Sequence, residues 1–242
     1  MTAMSHSEVS RNQILGDLIA DLGPKDARAV ALQTQDADEG ISHLLASLLA
    51  DMSISPRIAY RVLWLLPSFP TEELIGQALR TMADRPDLAH AAGRELKKLK
   101  DPSIIPRLGS MVLDSTLATD SRAEAAVVLG ELGDPAGKDF LVRALKALQE
   151  PIVLRAAAYS LGYIQLLEGS TDAADDLCIL LSSSFPEVRL AAVNALSNMW
   201  ATQARDQIEA LVNDQGVTAS GENVGKRAAE VSRLLRDAQK DR

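Results

Sequence analysis

Aromatic residues and cysteine are scarce in this sequence of 242 residues. It contains three Phe, three Tyr, two Trp and one Cys. Because large rings are few, the core must consist mainly of aliphatic side chains. A single cysteine excludes an internal disulfide and gives no indication of an oxidising compartment.

Long apolar runs are also absent. The longest ones, such as 62–66 and 177–181, fall far short of the roughly 20 residues that span a bilayer. The polar start of the sequence shows no signal-peptide pattern. We therefore expect a cytoplasmic protein with no membrane segment.

Positive charge is in deficit, with 25 Lys and Arg against 33 Asp and Glu, which gives a net charge of −8. General nucleic-acid binding depends on neutralising phosphates with Lys and Arg, so this balance argues against a nucleic-acid partner. The apolar content of 47% and the charged content of 24% are ordinary for a folded protein.

The sequence instead contains an internal repeat. Six segments fit one nine-residue helical template and recur at intervals of 30 to 36 residues. They are residues 58–66, 88–96, 121–129, 153–161, 188–196 and 224–232. A second helical pattern precedes each one, and Pro or Gly-Asp-Pro marks the turns. No alternation of period two is present, so strands are not expected.

The repeat predicts an all-α fold, a right-handed α-solenoid of about seven antiparallel helix pairs. We expect a single domain over residues 1–242. Within it, 1–54 would hold divergent N-terminal pairs, 55–200 the clearest repeats, and 201–242 a C-terminal capping pair. The polar segment 213–223, which contains two glycines, is predicted to bury little and to be mobile.

Three segments resemble HEAT repeats, of the HEAT-like type known from phycobilisome lyases. They are AAVVLGELGDP (125–135), RAAAYSLGYI (155–164) and EVRLAAVNALSNM (187–199). The second template position departs from the family pattern, because the usual arginine occurs only as Arg122 and Arg189. The resemblance implies that the second helix of each pair lines the concave side.

Helical periodicity divides each second helix into two faces. Positions 1, 5, 8, 9 and 12 form the core face, for example Val188, Ala192, Ala195, Leu196 and Met199. Positions 3, 7 and 10 lie opposite and carry aromatic and basic residues where a solvated face would carry Glu, Lys or Gln. The predicted partner-binding residues on this stripe are Tyr60, Trp64, His90, Arg94, Lys97 and Tyr159.

These six residues have the composition of a protein-binding site. The aromatic rings would be apolar anchors, and Arg94 and Lys97 would pair with carboxylates. Residues 51–100 carry eight Lys and Arg against six Asp and Glu, which favours an acidic partner segment. The structural alternative is that Tyr60 and Trp64 cover loops or the end of the stack, and that Lys97 and Lys98 only complement a helix dipole.

No residues suggest catalysis, so we expect no catalytic, metal or cofactor site. The three histidines are scattered, and Cys178 lies in an apolar run typical of a buried structural thiol. Asp172, Asp175 and Asp176 follow Ser-Thr at a predicted helix start, where carboxylates cap and complement the dipole. The sequence thus favours a non-catalytic protein-binding scaffold or adaptor. A phycobilin lyase, or a subunit accessory to one, is the alternative that the repeat type suggests.

Overall fold

The structure, a computed structural model, describes residues 6–23, 25–34 and 37–240. Regular structure in these residues is helical: fourteen α-helices and six short 3-10 segments, with one isolated β-bridge between Val217 and Asn223. The predicted all-α solenoid of helix pairs is confirmed. No helix among the described residues is long and apolar enough to cross a membrane.

The contacts divide the chain into two compact units, Met1–Asp101 and Pro102–Arg242. The described helices of the first unit are α1 (His6–Leu22), α2 (Ala27–Thr34), α3 (Asp38–Ala50), α4 (Pro56–Leu65), α5 (Glu72–Asp84) and α6 (Pro86–Leu96). They form three consecutive pairs, in which α3 packs on α5 and α4 packs on α6. The prediction of a single domain over residues 1–242 stays a prediction.

The second unit contains four further pairs. Its helices are α7 (Ile105–Leu113), α8 (Thr119–Leu132), α9 (Lys138–Ala147), α10 (Pro151–Glu168), α11 (Ala174–Cys178), α12 (Pro186–Asn198), α13 (Arg205–Glu209) and α14 (Val224–Lys240). The second helices form one row, α8–α10–α12–α14, and the first helices α7, α9 and α11 form another. With three pairs in the first unit, the described residues contain the expected seven.

Proline begins the second helices as the sequence predicts. Pro56, Pro86, Pro151 and Pro186 are the first residues of α4, α6, α10 and α12. At this position the missing N–H has no helical partner to lose, and the fixed φ suits the first turn.

The core faces also follow the template. In and directly after α12, the template core residues are all at least 96% buried: Val188, Ala192, Ala195, Leu196 and Met199. Two glycines bring neighbouring second helices close together. A Cβ on Gly130 would lie 2.5 Å from the Cβ of Ser160, and one on Gly162 would lie 2.7 Å from the Cβ of Ala195. Gly130 and Gly162 stand at template position 10, which therefore lies in contacts between helices in α8 and α10. The periodicity had predicted that this position is exposed.

The two template arginines connect successive pairs in the same way. Arg122, which is 2% exposed, donates to the Val112 carbonyl at the end of α7 (3.1 Å) and to the Glu150 carboxylate before α10 (2.6 Å). Arg189 donates to the Ser183 carbonyl (2.7 Å) and to a carboxylate from the following pair. Each arginine thus satisfies the end of a first helix and holds the next repeat.

The expectation that residues 213–223 bury little is confirmed, since seven of these eleven residues are exposed and only Thr218 is buried, and the mobility of the segment stays a prediction. Thr218 is 7% exposed, and its backbone N–H donates to Glu222 (2.9 Å). The Gly225 N–H donates to the Asp214 carbonyl (3.2 Å), and the Ala219 N–H donates to the carboxylate of Glu187 on α12 (3.1 Å). Polar side chains of the segment also take part, since Thr218 Oγ1 and Ser220 Oγ share a hydrogen bond (2.9 Å).

Candidate functional site

Tyr60 and Arg94 come together on the second helices of the first unit. Arg94 on α6 donates from Nη2 to the Tyr60 hydroxyl on α4 at 2.8 Å. Its guanidinium carbon also lies 5.1 Å from the centre of the Tyr60 ring, in cation–π range. The Tyr60 side chain remains 42% exposed. We call these two residues the Tyr60–Arg94 pair.

A buried carboxylate holds the arginine of this pair. Glu95 is fully buried, and it accepts from Arg94 Nε at 2.9 Å and from Lys98 Nζ at 2.5 Å. The hydrogen bonds from Arg94 to Glu95, and then to Tyr60, raise the pKa of the Arg94 guanidinium. Arg94 therefore already pairs with a carboxylate of its own chain. The sequence predicted that it would pair with a carboxylate of another protein.

The other predicted residues of the first unit lie on the same two helices or directly after them. Trp64 is half-buried on α4, one turn after Tyr60. His90 is exposed on α6, and Lys97 is half-buried in the 3-10 turn that follows α6. Both His90 and Lys97 make interactions within the chain.

Tyr159 lies in the second unit, at the centre of an apolar stripe on α10. Ile152, Tyr159 and Leu166 are 44%, 54% and 43% exposed, and they are spaced seven residues apart, two helical turns. Arg155 and the half-buried Tyr163 complete this stripe. We call these five residues the α10 stripe. Only one of them is charged, which is unusual for an exposed helix face.

The neighbouring helices bear small or uncharged residues at the position equivalent to Tyr159. Val127 on α8 and Asn194 on α12 occupy it, and both are half-buried. Because Gly130 and Gly162 allow α8 and α12 to approach α10 closely, Tyr159 extends from a tightly packed row of three helices. The result is an exposed aromatic ring with an uncharged residue at the equivalent position on each neighbouring helix.

Of the six predicted partner-binding residues, the structure thus shows two in contact and does not test whether all six share one surface. Tyr60 and Arg94 contact each other, whereas Tyr159 belongs to the other compact unit. The hypothesis that all six residues line one groove stays a prediction.

Sequence reasoning missed a groove between the end of α12 and α14. It is lined by Ser197, Trp200, Arg227, Glu230, Val231, Arg233, Leu234, Asp237 and Ala238. Trp200 and Leu234 are 47% and 43% exposed. We call this feature the α12–α14 groove. The sequence did contain one signal for this groove. Trp200 lies twelve residues after Val188, the first template residue of its repeat, and the repeat that begins at Ser121 has Gly133 at the same place.

The acidic residues at the start of α11, Asp172, Asp175 and Asp176, form two ion pairs. Asp172 pairs with Lys138 at 3.1 Å, and Asp176 pairs with Lys146 at 2.7 Å. Asp175 and Asp176 lie in the first turn of α11, as the dipole interpretation predicted, but the N-cap residue is Ala173 and no side chain caps this helix, so the capping part of the prediction is wrong. Among the described residues no cluster of His, Cys, Asp and Glu is arranged to hold a metal ion.

Cys178 at the end of α11 is half-buried, and not fully buried as its apolar run suggested. Desolvation, with a contribution from the nearby Asp175 charge, raises the pKa of the thiol to about 11. A nucleophilic cysteine needs the opposite shift. The thiol is therefore protonated at neutral pH and unsuited to covalent catalysis.

Comparison with known proteins identifies the repeat. Residues 71–162 match the family model described as HEAT repeats, which confirms the HEAT resemblance over that segment. The phycobilisome-lyase subtype is not confirmed by this match. No curated protein matches the chain significantly. Among solved structures, the chain is similar to human deoxyhypusine hydroxylase in complex with glycerol. The identity is 15%, 98% of this chain and 99% of that chain are covered, and the TM-score of 0.43 is too low to support an argument.

Proposed function

We propose that this HEAT-repeat protein is a non-catalytic scaffold or adaptor in the cytoplasm, and that it binds a partner protein through the exposed side of its second helices. The observation that carries the proposal is the α10 stripe, where Ile152, Tyr159 and Leu166 expose about half of each side chain along one face. Aromatic and aliphatic groups exposed on a rigid support are typical anchors of protein interfaces.

Tyr159 is the residue that we expect to contribute most to binding. A tyrosine ring loses little conformational entropy on binding, and its hydroxyl can bind polar groups of the partner. The buried small residues on both sides of α10 fix the helix, so little reorganisation accompanies association.

The Tyr60–Arg94 pair supplies a second rigid aromatic surface, in the first unit. Since Arg94 is held by Glu95, we assign it the role of orienting the Tyr60 ring. Lys97, just after the same helix, adds a positive charge that an acidic partner segment would complement. No observation on the described residues favours the chromophore-lyase alternative, and we do not propose it.

The test is a comparative affinity purification from the native source with quantitative mass spectrometry. The bait proteins are the wild type, Tyr159→Ser and Ile179→Ser. Ile179 is a matched control because it is 53% exposed, against 54% for Tyr159, but lies in the 3-10 turn that follows α11. We expect a partner that the wild type and Ile179→Ser capture equally and that Tyr159→Ser loses. Equal capture by all three proteins would contradict the proposal.

A further inference from the structure

Arg155 is the charged residue of the α10 stripe, and it lies one helical turn before Tyr159 on the same exposed face. Its guanidinium forms no ion pair and no hydrogen bond with any residue that the structure describes. The template arginines of the neighbouring helices are different, because Arg122 pairs with Glu150 and Arg189 pairs with Asp214. Arg155 therefore stabilises no contact of the fold, and its charge is available to a ligand.

The neighbouring second helices do not compensate this charge. At the template position of Arg155 they carry Ala123 and Leu190, which are only 8% and 6% exposed. None of the carboxylates of α8 and α12 pairs with Arg155; these are Asp120, Glu124, Glu131 and Glu187. The unit Pro102–Arg242 as a whole carries 14 Lys and Arg against 19 Asp and Glu. The α10 stripe is thus a local positive site on an acidic unit.

A second unpaired donor lies on α12, beside Tyr159. Asn194 occupies the template position of Tyr159, and the next residue, Ala195, contacts Gly162 of α10. The Nε–H of Arg227 on α14 donates to Asn194 Oδ1 at 2.7 Å. Because a guanidinium has only donors, this bond identifies the oxygen of the amide and leaves Nδ2 as its other group. Asn194 Nδ2 donates to no acceptor in the described ranges.

These two groups determine which chemistry complements the α10 stripe. The Arg155 guanidinium and the Asn194 amide nitrogen donate hydrogen bonds and accept none. A ligand that covers them must therefore supply oxygen acceptors, and it must also cover the apolar side chains of the stripe. The full charge and planar donors of Arg155 favour a carboxylate, whereas the neutral amide of Asn194 suits a peptide carbonyl.

We propose that Arg155 selects the partner, and that the α10 stripe binds a peptide segment with one carboxylate beside an apolar side chain. The carboxylate pairs with Arg155, the apolar side chain packs on Tyr159, and Asn194 donates to a carbonyl of the segment. A nucleic acid fits less well, because it carries a phosphate on every nucleotide and the surrounding unit is acidic. This inference rests on the proposed function and gives the chemistry of the partner at the same site.

Two variants change these donors without breaking a contact of the fold. Arg155→Glu reverses the charge of a side chain that has no partner, so the melting temperature should stay within a few degrees of the wild-type value. Asn194→Asp keeps an oxygen for Arg227 but replaces the donor Nδ2 by a second acceptor. The matched control is Arg80→Glu, because Arg80 on α5 is also exposed and forms no ion pair with the described residues.

The test is a phage-display selection from a random peptide library on the full-length wild type, with prior depletion on Tyr159→Ser. We expect enriched peptides that combine one Asp or Glu with Leu, Phe or Trp. Synthetic copies should bind the wild type and Arg80→Glu equally, and Arg155→Glu at least tenfold more weakly. Asn194→Asp should also weaken binding, by roughly threefold or more. Copies in which Lys replaces the acidic residue should bind Arg155→Glu more tightly than the wild type.

The outcomes separate this inference from the proposed function. If the selected peptides depend on Tyr159 but lack a carboxylate, or bind Arg155→Glu as tightly as the wild type, the inference is overturned and the proposed function stands. If no enriched peptide depends on Tyr159, both are overturned. An oligonucleotide that binds the wild type more tightly than the peptides do, and that loses affinity for Arg155→Glu, would assign Arg155 to phosphate and overturn the inference.

Discussion

Arg189 binds both carboxylate oxygens of Asp214, at 2.7 Å from Nε and 2.9 Å from Nη2, with side chains that are only 13% and 12% exposed. Asp214 Oδ1 also accepts the Gly216 N–H at 2.6 Å. One carboxylate therefore connects α12 to the loop that precedes α14. This ion pair resembles that of Arg122 with Glu150, in which the arginine occupies the same template position two repeats earlier.

We predict that Asp214 makes stability depend on pH in the acid range. The hydrogen bond from Arg189 lowers the pKa of the carboxyl below its ordinary value of 3.8. A lowered pKa means that the unfolded chain binds the proton more readily. The contribution is therefore complete above the ordinary pKa and is lost as the pH falls through the folded-state pKa. Urea unfolding between about pH 5 and pH 2 should show a smaller loss of stability in Asp214→Asn than in the wild type.

The control is Asp206→Asn, at a carboxylate whose side chain is 81% exposed, and it should retain the wild-type pH dependence. Identical curves for all three proteins would contradict the assignment.

Removing the buried charge of Glu95 should destabilise the first unit. Glu95→Gln keeps the shape but loses the carboxylate that accepts from Arg94 and Lys98. We expect a loss of about 2 kcal/mol in the free energy of unfolding, measured with urea. Glu73→Gln is the matched control, because Glu73 pairs with His43 at the surface and should change stability by less than about 0.5 kcal/mol. Equal losses would show that burial of Glu95 is not the cause.

Gly162 should not tolerate a methyl group. A Cβ there would lie 2.7 Å from the Cβ and 2.8 Å from the Cα of Ala195, and the backbone atom cannot move away without displacing α12. Gly162→Ala should therefore cost about 1–3 kcal/mol. Gly16→Ala in α1 meets nothing within 4 Å and should instead stabilise by about 0.5–1 kcal/mol. Thermal unfolding of both variants checks the opposite signs, and stabilisation in both would refute the close contact.

Cys178 should react slowly with thiol reagents. With a pKa of about 11, the thiolate is much rarer at pH 7.5 than for an ordinary cysteine. Alkylation by iodoacetamide in the native protein should be roughly tenfold or more slower than in the urea-unfolded chain at the same pH. Equal rates in the two states would contradict the raised pKa.

The sequence predicted the features that depend on local patterns. Apolar periodicity located the core faces, and proline located the starts of four second helices, because both act within one helix. Template position 10 was the exception, because Gly130 and Gly162 lie in close contacts between helices and not on the exposed face.

What the sequence could not predict depends on contacts between distant residues. The polar composition of residues 213–223 indicated that they bury little, but it did not reveal the hydrogen bonds to Glu187 and Arg189 that join this segment to α12. The sequence places Arg94 at an outward template position and so assigns it to a partner's carboxylate, because the burial of the adjacent Glu95 is not visible in the sequence. Trp200 was missed because its left-handed φ is a property of the folded turn.

The central claim is that the α10 stripe binds the partner protein, and calorimetric titration of that partner, once purified, tests it most directly. The full-length wild type, Tyr159→Ser and Ile179→Ser are compared under one set of conditions. The account predicts that Tyr159→Ser raises the Kd by about thirtyfold, equivalent to roughly 2 kcal/mol, while Ile179→Ser leaves it unchanged. The same Kd for Tyr159→Ser and the wild type, with intact folding of both, would contradict it.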